Sequence, residues 1–109
     1  MELTQITPQF SVSPQVLAVQ MAQLSASGVE VLICNRPDGE EADQPSFSEI
    51  AEAAKDAGLE AVYLPMQTPQ DIPEGHIQKL KALLADNKRV HGYCRTGNRS
   101  SHLWQAAVA

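Results

Sequence analysis

The sequence predicts an α/β fold: a mostly parallel sheet with helices on both faces and a Cys-Arg anion-binding loop between the last strand and the last helix. Three observations predict it. Short apolar runs at 29–34, 61–64 and 90–93 read as strands buried within a sheet. Segments with helical apolar spacing alternate with these runs, which is the pattern of βαβ units. The last run leads directly into Cys94-Arg95-Thr96-Gly97-Asn98-Arg99-Ser100, a tight loop that opens into a helix over His102, Leu103, Trp104 and Ala107.

Taken in order, Phe10 and Val12 alternate in the first twelve residues and predict a short strand. Ser13-Pro14 has the form of an N-cap followed by proline at the first helical position. Val16, Leu17, Val19, Met21 and Leu24 then give a helical stripe that Gly28 stops. Residues 29–34 are rich in branched side chains and end at Cys34. Residues 35–45 are polar and broken by Pro and Gly, hence a long loop. Ser46-Phe47-Ser48-Glu49 has capping-box spacing and starts a second helix that Gly58 ends. A strand at 61–64 is closed by Pro65, and 67–73 is another loop. Ile77, Leu80, Leu83 and Leu84 predict a third helix ending near Asn87.

Right-handed crossovers put the carboxyl ends of parallel strands on one edge of the sheet, where ligands of open α/β sheets bind. The loops after Cys34, after Leu64 and at Cys94 are expected to share that edge.

The 109 residues amount to a single domain, 1–109, with 43% hydrophobic and 19% charged residues, ordinary for a folded chain. The last helix reaches Ala109 without a cap, which leaves room for a natural terminus further on. A net charge of −5, with acids spread along the chain, argues against nucleic acid and against an anionic membrane as partners. No leader or membrane-spanning run is visible, so a cytoplasmic location is the default expectation. Two cysteines are too few for a secreted disulfide scaffold. His76, His91 and His102 are too scattered for metal-ligand spacing, and the chemistry below calls for no metal or cofactor.

The cysteine loop carries that chemistry. Amides at a helix N-terminus have no intrahelical partner and converge on an anion, either a bound oxyanion or a thiolate. Cys94 has such amides over 95–99 and two cations nearby, Arg95 and Arg99. A guanidinium fork fits two oxygens of a phosphate- or sulfate-like group. Gly97 lets the backbone turn left-handed and approach the anion, with Thr96 and Asn98 beside it. Ser100 is placed to hydrogen-bond the thiolate or assist its departure. The expected partner is therefore a small anionic substrate; nothing in the sequence sets an oligomeric state.

These residues resemble the signature of the cysteine-dependent phosphatases: His-Cys, five residues, Arg, then Ser or Thr. More narrowly, Ser13-Pro14-Gln15, Asn35-Arg36-Pro37-Asp38, Gln44-Pro45, Leu64-Pro65 and the Cys94–Ser100 loop resemble a bacterial phosphatase-like domain, found alone or fused to β-lactamase-like metallohydrolases. The resemblance implies a hydrolase that cleaves phosphate monoesters through a phosphocysteine on Cys94. Arg99 and the loop amides would hold the phosphoryl oxygens, and an aspartate from another loop would protonate the leaving group. Asp71 lies in the loop after the 61–64 strand, where the family often carries that acid; Asp38 is the other candidate on the same edge, with Glu40 and Glu41 behind it. Arg36 would add positive field for substrate binding. Cys34 would be either a small core residue or, as in some relatives, a resolving thiol for Cys94.

Two departures from the broad signature stand out. Only four residues separate Cys94 from Arg99, and Tyr93 replaces the usual His, with His91 two positions earlier. A loop of that length is typical of rhodanese-like sulfurtransferases, so a persulfide on Cys94 is the alternative chemistry. A non-catalytic anion-binding module is the third reading.

Overall fold

The computed structural model describes residues 1–109. Five strands form one sheet: β1 (Thr4–Thr7), β2 (Phe10–Ser13), β3 (Val31–Cys34), β4 (Glu60–Tyr63) and β5 (Val90–Tyr93). Their spatial order is β1-β2-β5-β3-β4. The four helices are α1 (Met21–Ala26), α2 (Phe47–Asp56), α3 (Glu74–Ala85) and α4 (Asn98–Val108), with a 3₁₀ turn over Ala18–Gln20 before α1. The sheet is mixed: β2, β5, β3 and β4 run parallel, while β1 pairs antiparallel with β2.

Register explains how the site is assembled. Ser13 lies opposite Tyr93, Tyr93 opposite Cys34, and Cys34 opposite Tyr63. The carboxyl ends of four parallel strands are therefore level, with β5 in the middle. The loop that follows Tyr93 leaves from the centre of that edge, flanked by the loops after Ser13, Cys34 and Tyr63.

Both faces are covered, as the alternating pattern predicts. On one face Phe10, Val12, Val31, Ile33 and Val90 pack with Leu80 and Leu83 of α3 and Leu103 and Ala107 of α4. On the other, Leu32, Cys34 and Tyr93 pack with Met21 and Leu24 of α1 and Ile50 and Ala54 of α2. Alternate residues of β3 and β5 thus serve opposite cores, so both strands are buried throughout. The serine half of the expected capping box at α2 forms, Ser46 Oγ accepting the Glu49 amide at 3.2 Å. Gly28 and Gly58 end α1 and α2 with φ of 99° and 86°.

Two expectations are corrected. Ser13-Pro14 does not start a helix. Ser13 is the last residue of β2, its hydroxyl donates to Pro14 O at 2.8 Å and its oxygen lies 2.7 Å from His91 Nε2, so that oxygen accepts from the histidine rather than from helix amides; the regular helix begins only at Met21. The amino-terminal strand is also not single. Thr7 Oγ1 accepts the amides of Gln9 and Phe10, at 3.1 and 3.0 Å, and this side-chain turn folds β1 back on β2.

Candidate active site

Asn35, immediately after β3, ties the neighbouring strand ends together. Its amide donates to Tyr93 O at 2.8 Å, its Nδ2 to Leu64 O at 2.8 Å, and its carbonyl accepts from Met66 N at 3.0 Å. Asn35 is fully buried, and these bonds fix three loops relative to one another.

Gly97 shapes the cysteine loop. Its φ is +94°, and an added Cβ would stand 3.3 Å from Ser13 O at the end of β2. Both the left-handed turn and the close strand require glycine. The turn aims the Gly97 amide at Cys94 Sγ, 3.0 Å away. Burial pushes the Cys94 thiol up, but amides of Ser100, Thr96, Arg99 and Gly97 outweigh it and hold the thiol below its ordinary value. The thiolate is the form this loop stabilises.

Arg99, in the first turn of α4, is fixed by two partners. Its Nη1 donates to Glu40 Oε2 at 2.6 Å and to Met66 O at 2.8 Å, and its Nη2 donates to Glu40 Oε1 at 2.9 Å. A guanidinium has five N–H donors. Three are spent here, leaving Nε–H and one Nη2–H. Those two lie on the same edge and form the fork that matches two oxygens of a tetrahedral anion.

Glu40 is the residue of this site that the sequence names only as a neighbour of Asp38. It also accepts Arg36 Nε at 3.1 Å. Hydrogen bonding from Arg99, against some burial and reinforced by Arg36, holds its carboxyl below the usual range. Arg36 itself is buried and further donates to Gln15 at 3.0 Å and Glu41 at 2.9 Å. It does not line the cavity in front of the loop, which moves it from direct contact with an anion to a supporting layer. The signal was in the sequence as Glu40-Glu41 in a loop that also carries Arg36.

That cavity, about 500 Å³, is lined by Glu40, Glu41, Gln67, Thr68, Pro69, Arg95, Thr96, Asn98 and Arg99. The loops after β3 and β4 and the cysteine loop therefore meet as topology predicts. The loop after β2 joins them through Gln15. Asp38 and Asp71 do not line the cavity. Asp38 Oδ1 accepts the Phe47 amide at 2.8 Å, at the start of α2. Asp71 is exposed, with its amide donating to Thr68 O at 3.4 Å, on the loop whose Gln67–Pro69 portion forms one wall.

Ser100 is buried; its amide faces Cys94, while its hydroxyl has no hydrogen-bond partner. Cys34 belongs to the α1/α2 core, donates to Arg36 O at 3.2 Å, and burial pushes its thiol up to about 11. Behind the loop, His91 is sealed between Ser11 and Ser13, each 2.7 Å from a ring nitrogen. Because Ser13 gives its proton to Pro14 O, its oxygen accepts from His91 Nε2–H, and Nδ1 accepts from Ser11. Burial lowers the His91 pKa to about 4.

A five-stranded mixed sheet with a Cys-Arg loop at the carboxyl end of its central strand defines a protein of the PTP-like phosphatase fold. The solved structure of PTPMT1 shares that fold at a TM-score of 0.69 and 16% identity, over 98% of this chain and 71% of that one. More narrowly, the chain belongs to the family of the phosphatase-like domain of the beta-lactamase hydrolase-like proteins, which matches residues 2–109. It is 30% identical over 105 residues to the beta-lactamase hydrolase-like protein of Agrobacterium fabrum, across 95% of this chain and 24% of that protein. The chain thus spans about a quarter of that relative's length. A candidate phosphatase of known structure from Neisseria meningitidis shares 33% identity, with a TM-score of 0.82 over 95% of this chain and 74% of that one.

Proposed function

We propose that this protein hydrolyses phosphate monoesters with Cys94 as nucleophile. The observation that carries the reading is the pairing of a buried thiol, held low by loop amides, with an Arg99 guanidinium that Glu40 and Met66 O fix beside it and that keeps two N–H groups beyond those bonds, within reach of the Cys94 sulfur. In the first step a Cys94 Sγ lone pair forms the S–P bond as the P–O bond to the leaving alcohol breaks. The loop amides and Arg99 hold the equatorial oxygens, which is where charge must be stabilised. The leaving oxygen takes a proton from a carboxylic acid. In the second step water attacks phosphorus, the S–P electrons return to Sγ, and the carboxylate takes the water's proton.

Glu40 is held ionised by two guanidinium groups and is a positioning residue, not the acid. Asp71 is the proposed acid: it rides on the loop that walls the cavity and is free of side-chain partners, so a modest loop movement brings it to the leaving group. Asp38 is committed to the α2 amide.

Replacing Cys94 with Ser tests the reading. Wild type is expected to hydrolyse a small aryl phosphate, and Cys94→Ser to abolish this. Undiminished hydrolysis in the variant, or sulfur transfer from thiosulfate to cyanide by wild type with no phosphate release, would overturn it.

A further inference from the structure

None of the nine residues lining the cavity in front of the Cys94–Ser100 loop is a hydrophobic one; Cys94 itself is buried beneath that lining. Small-molecule sites are ordinarily walled by apolar and aromatic side chains, and an aryl ring is gripped by such walls. Here the aromatic side chains are all committed elsewhere. Phe10 stacks on Trp104, Phe47 stacks on Tyr63, and Tyr93 is buried in the core. A ring placed in this cavity would strip water from polar groups and replace none of their hydrogen bonds.

The charges on the lining are unequally spent. Glu40 is taken by Arg99 and Arg36, and Glu41 by Arg36. Arg95 is exposed, lines the same cavity, and has neither a carboxylate partner nor a hydrogen bond. It is the guanidinium there with its full donor set available. A volume of about 500 Å³ leaves room for a substrate body beyond the phosphoryl group.

We infer that the cavity receives the non-reacting part of a small polyhydroxylated phosphate ester that carries a second anionic group, with Arg95 binding that second anion. The inference rests on reading the Cys94 loop as the site of the first. Substrate hydroxyls find partners in Gln67, the Asn98 side chain and the outer oxygen of Glu41, while Arg95 presents its fork to a second phosphate or carboxylate.

The test is competition against p-nitrophenyl phosphate hydrolysis by three probes: glucose 6-phosphate, fructose 1,6-bisphosphate and phenylphosphonate. The inhibition constant for the bisphosphate is expected about tenfold below both others, the scale of one charge-assisted contact. Arg95→Ala is expected to bring the bisphosphate-to-monophosphate ratio close to one, and Arg95→Lys to restore part of it. Equal constants for the two sugar phosphates, tighter binding of phenylphosphonate, or a ratio that survives Arg95→Ala would each overturn the inference. If wild type releases phosphate from neither p-nitrophenyl phosphate nor either sugar phosphate, titration calorimetry with the same probes separates the two ideas. An Arg95-dependent bisphosphate preference then keeps this inference and ends the phosphatase reading, whereas no binding by any probe ends both.

Discussion

Glu40→Gln is the most informative single substitution, because it keeps the side-chain shape and removes the charge that fixes Arg99. The pair is bidentate, at 2.6 and 2.9 Å, between side chains that are 11% and 27% exposed. Hydrogen bonds between charged groups contribute roughly 1.5–3 kcal/mol each when shielded, and partial exposure reduces this. Glutamine retains one acceptor, and Arg99 keeps its bond to Met66 O. A loss of about 1–2 kcal/mol in orienting the fork is left, which is about a 5- to 30-fold fall in kcat/KM. The two kinetic parameters are expected to separate. A negative charge beside an anion site weakens ground-state anion binding, so removing it should leave the inhibition constant of inorganic phosphate unchanged or lower while kcat falls. Glu41→Gln, whose carboxylate touches only Arg36 and is half exposed, should change kcat/KM by less than about threefold. An unchanged kcat in Glu40→Gln, or an equal loss in Glu41→Gln, would mean that Glu40 does not orient Arg99 for turnover.

Other expectations follow from the same geometry. His91, buried and with its pKa lowered to about 4, stays neutral in the folded chain while the unfolded chain protonates near 6.5. Its contribution to stability is complete above about pH 6.5 and is lost as pH falls toward 4, at about 1.4 kcal/mol per unit and about 3 kcal/mol in total. Urea midpoints of wild type and His91→Gln across that range should converge as pH falls; parallel curves would contradict this. Gly97→Ala places a side chain at φ +94° against Ser13 O, and should cost about 1–3 kcal/mol of stability and raise the Cys94 pKa as its amide contact is displaced; an unchanged alkylation pH profile would count against the contact. Iodoacetamide near neutral pH should label Cys94 first, while Cys34, with its thiol pushed up to about 11, stays unmodified in the folded chain. Peptide mapping that found Cys34 labelled first would reverse the assignment. Asp71→Asn should slow phenyl phosphate far more than p-nitrophenyl phosphate, because the poorer leaving group needs the proton. Equal slowing would remove Asp71 from the acid's role.

Much of this was legible in residues 29–34 and 94–100. A branched apolar run bounded by Gly28 and a polar loop can scarcely be anything but a buried strand, and Cys, Gly, Arg and Ser on the way into a helix spell an anion cradle. The β1–β2 hairpin was not legible, since Thr4–Thr7 is a partly exposed polar strand whose turn depends on the Thr7 hydroxyl rather than on Gly or Asn. The Ser13-Pro14 pair read locally as a helix start, but the hydroxyl that local rules assign to a cap is drawn to His91, distant in sequence. Glu40 escaped for the same reason. Its importance lies in Arg99, 59 residues away, and only the level strand ends of β3 and β5 bring the two together. Asp38 looked catalytic by its loop and turned out to be bonded to the start of α2.

The central claim is that Cys94 carries the phosphoryl group during turnover. Acid-quenching wild type with excess aryl phosphate, followed by intact-mass and peptide analysis, tests it most directly. A phosphoryl adduct on Cys94 is expected, forming with the burst of released phenol and absent from Cys94→Ser. Steady hydrolysis with no adduct, or a single added sulfur on Cys94 after thiosulfate treatment in a protein that releases no phosphate, would contradict it.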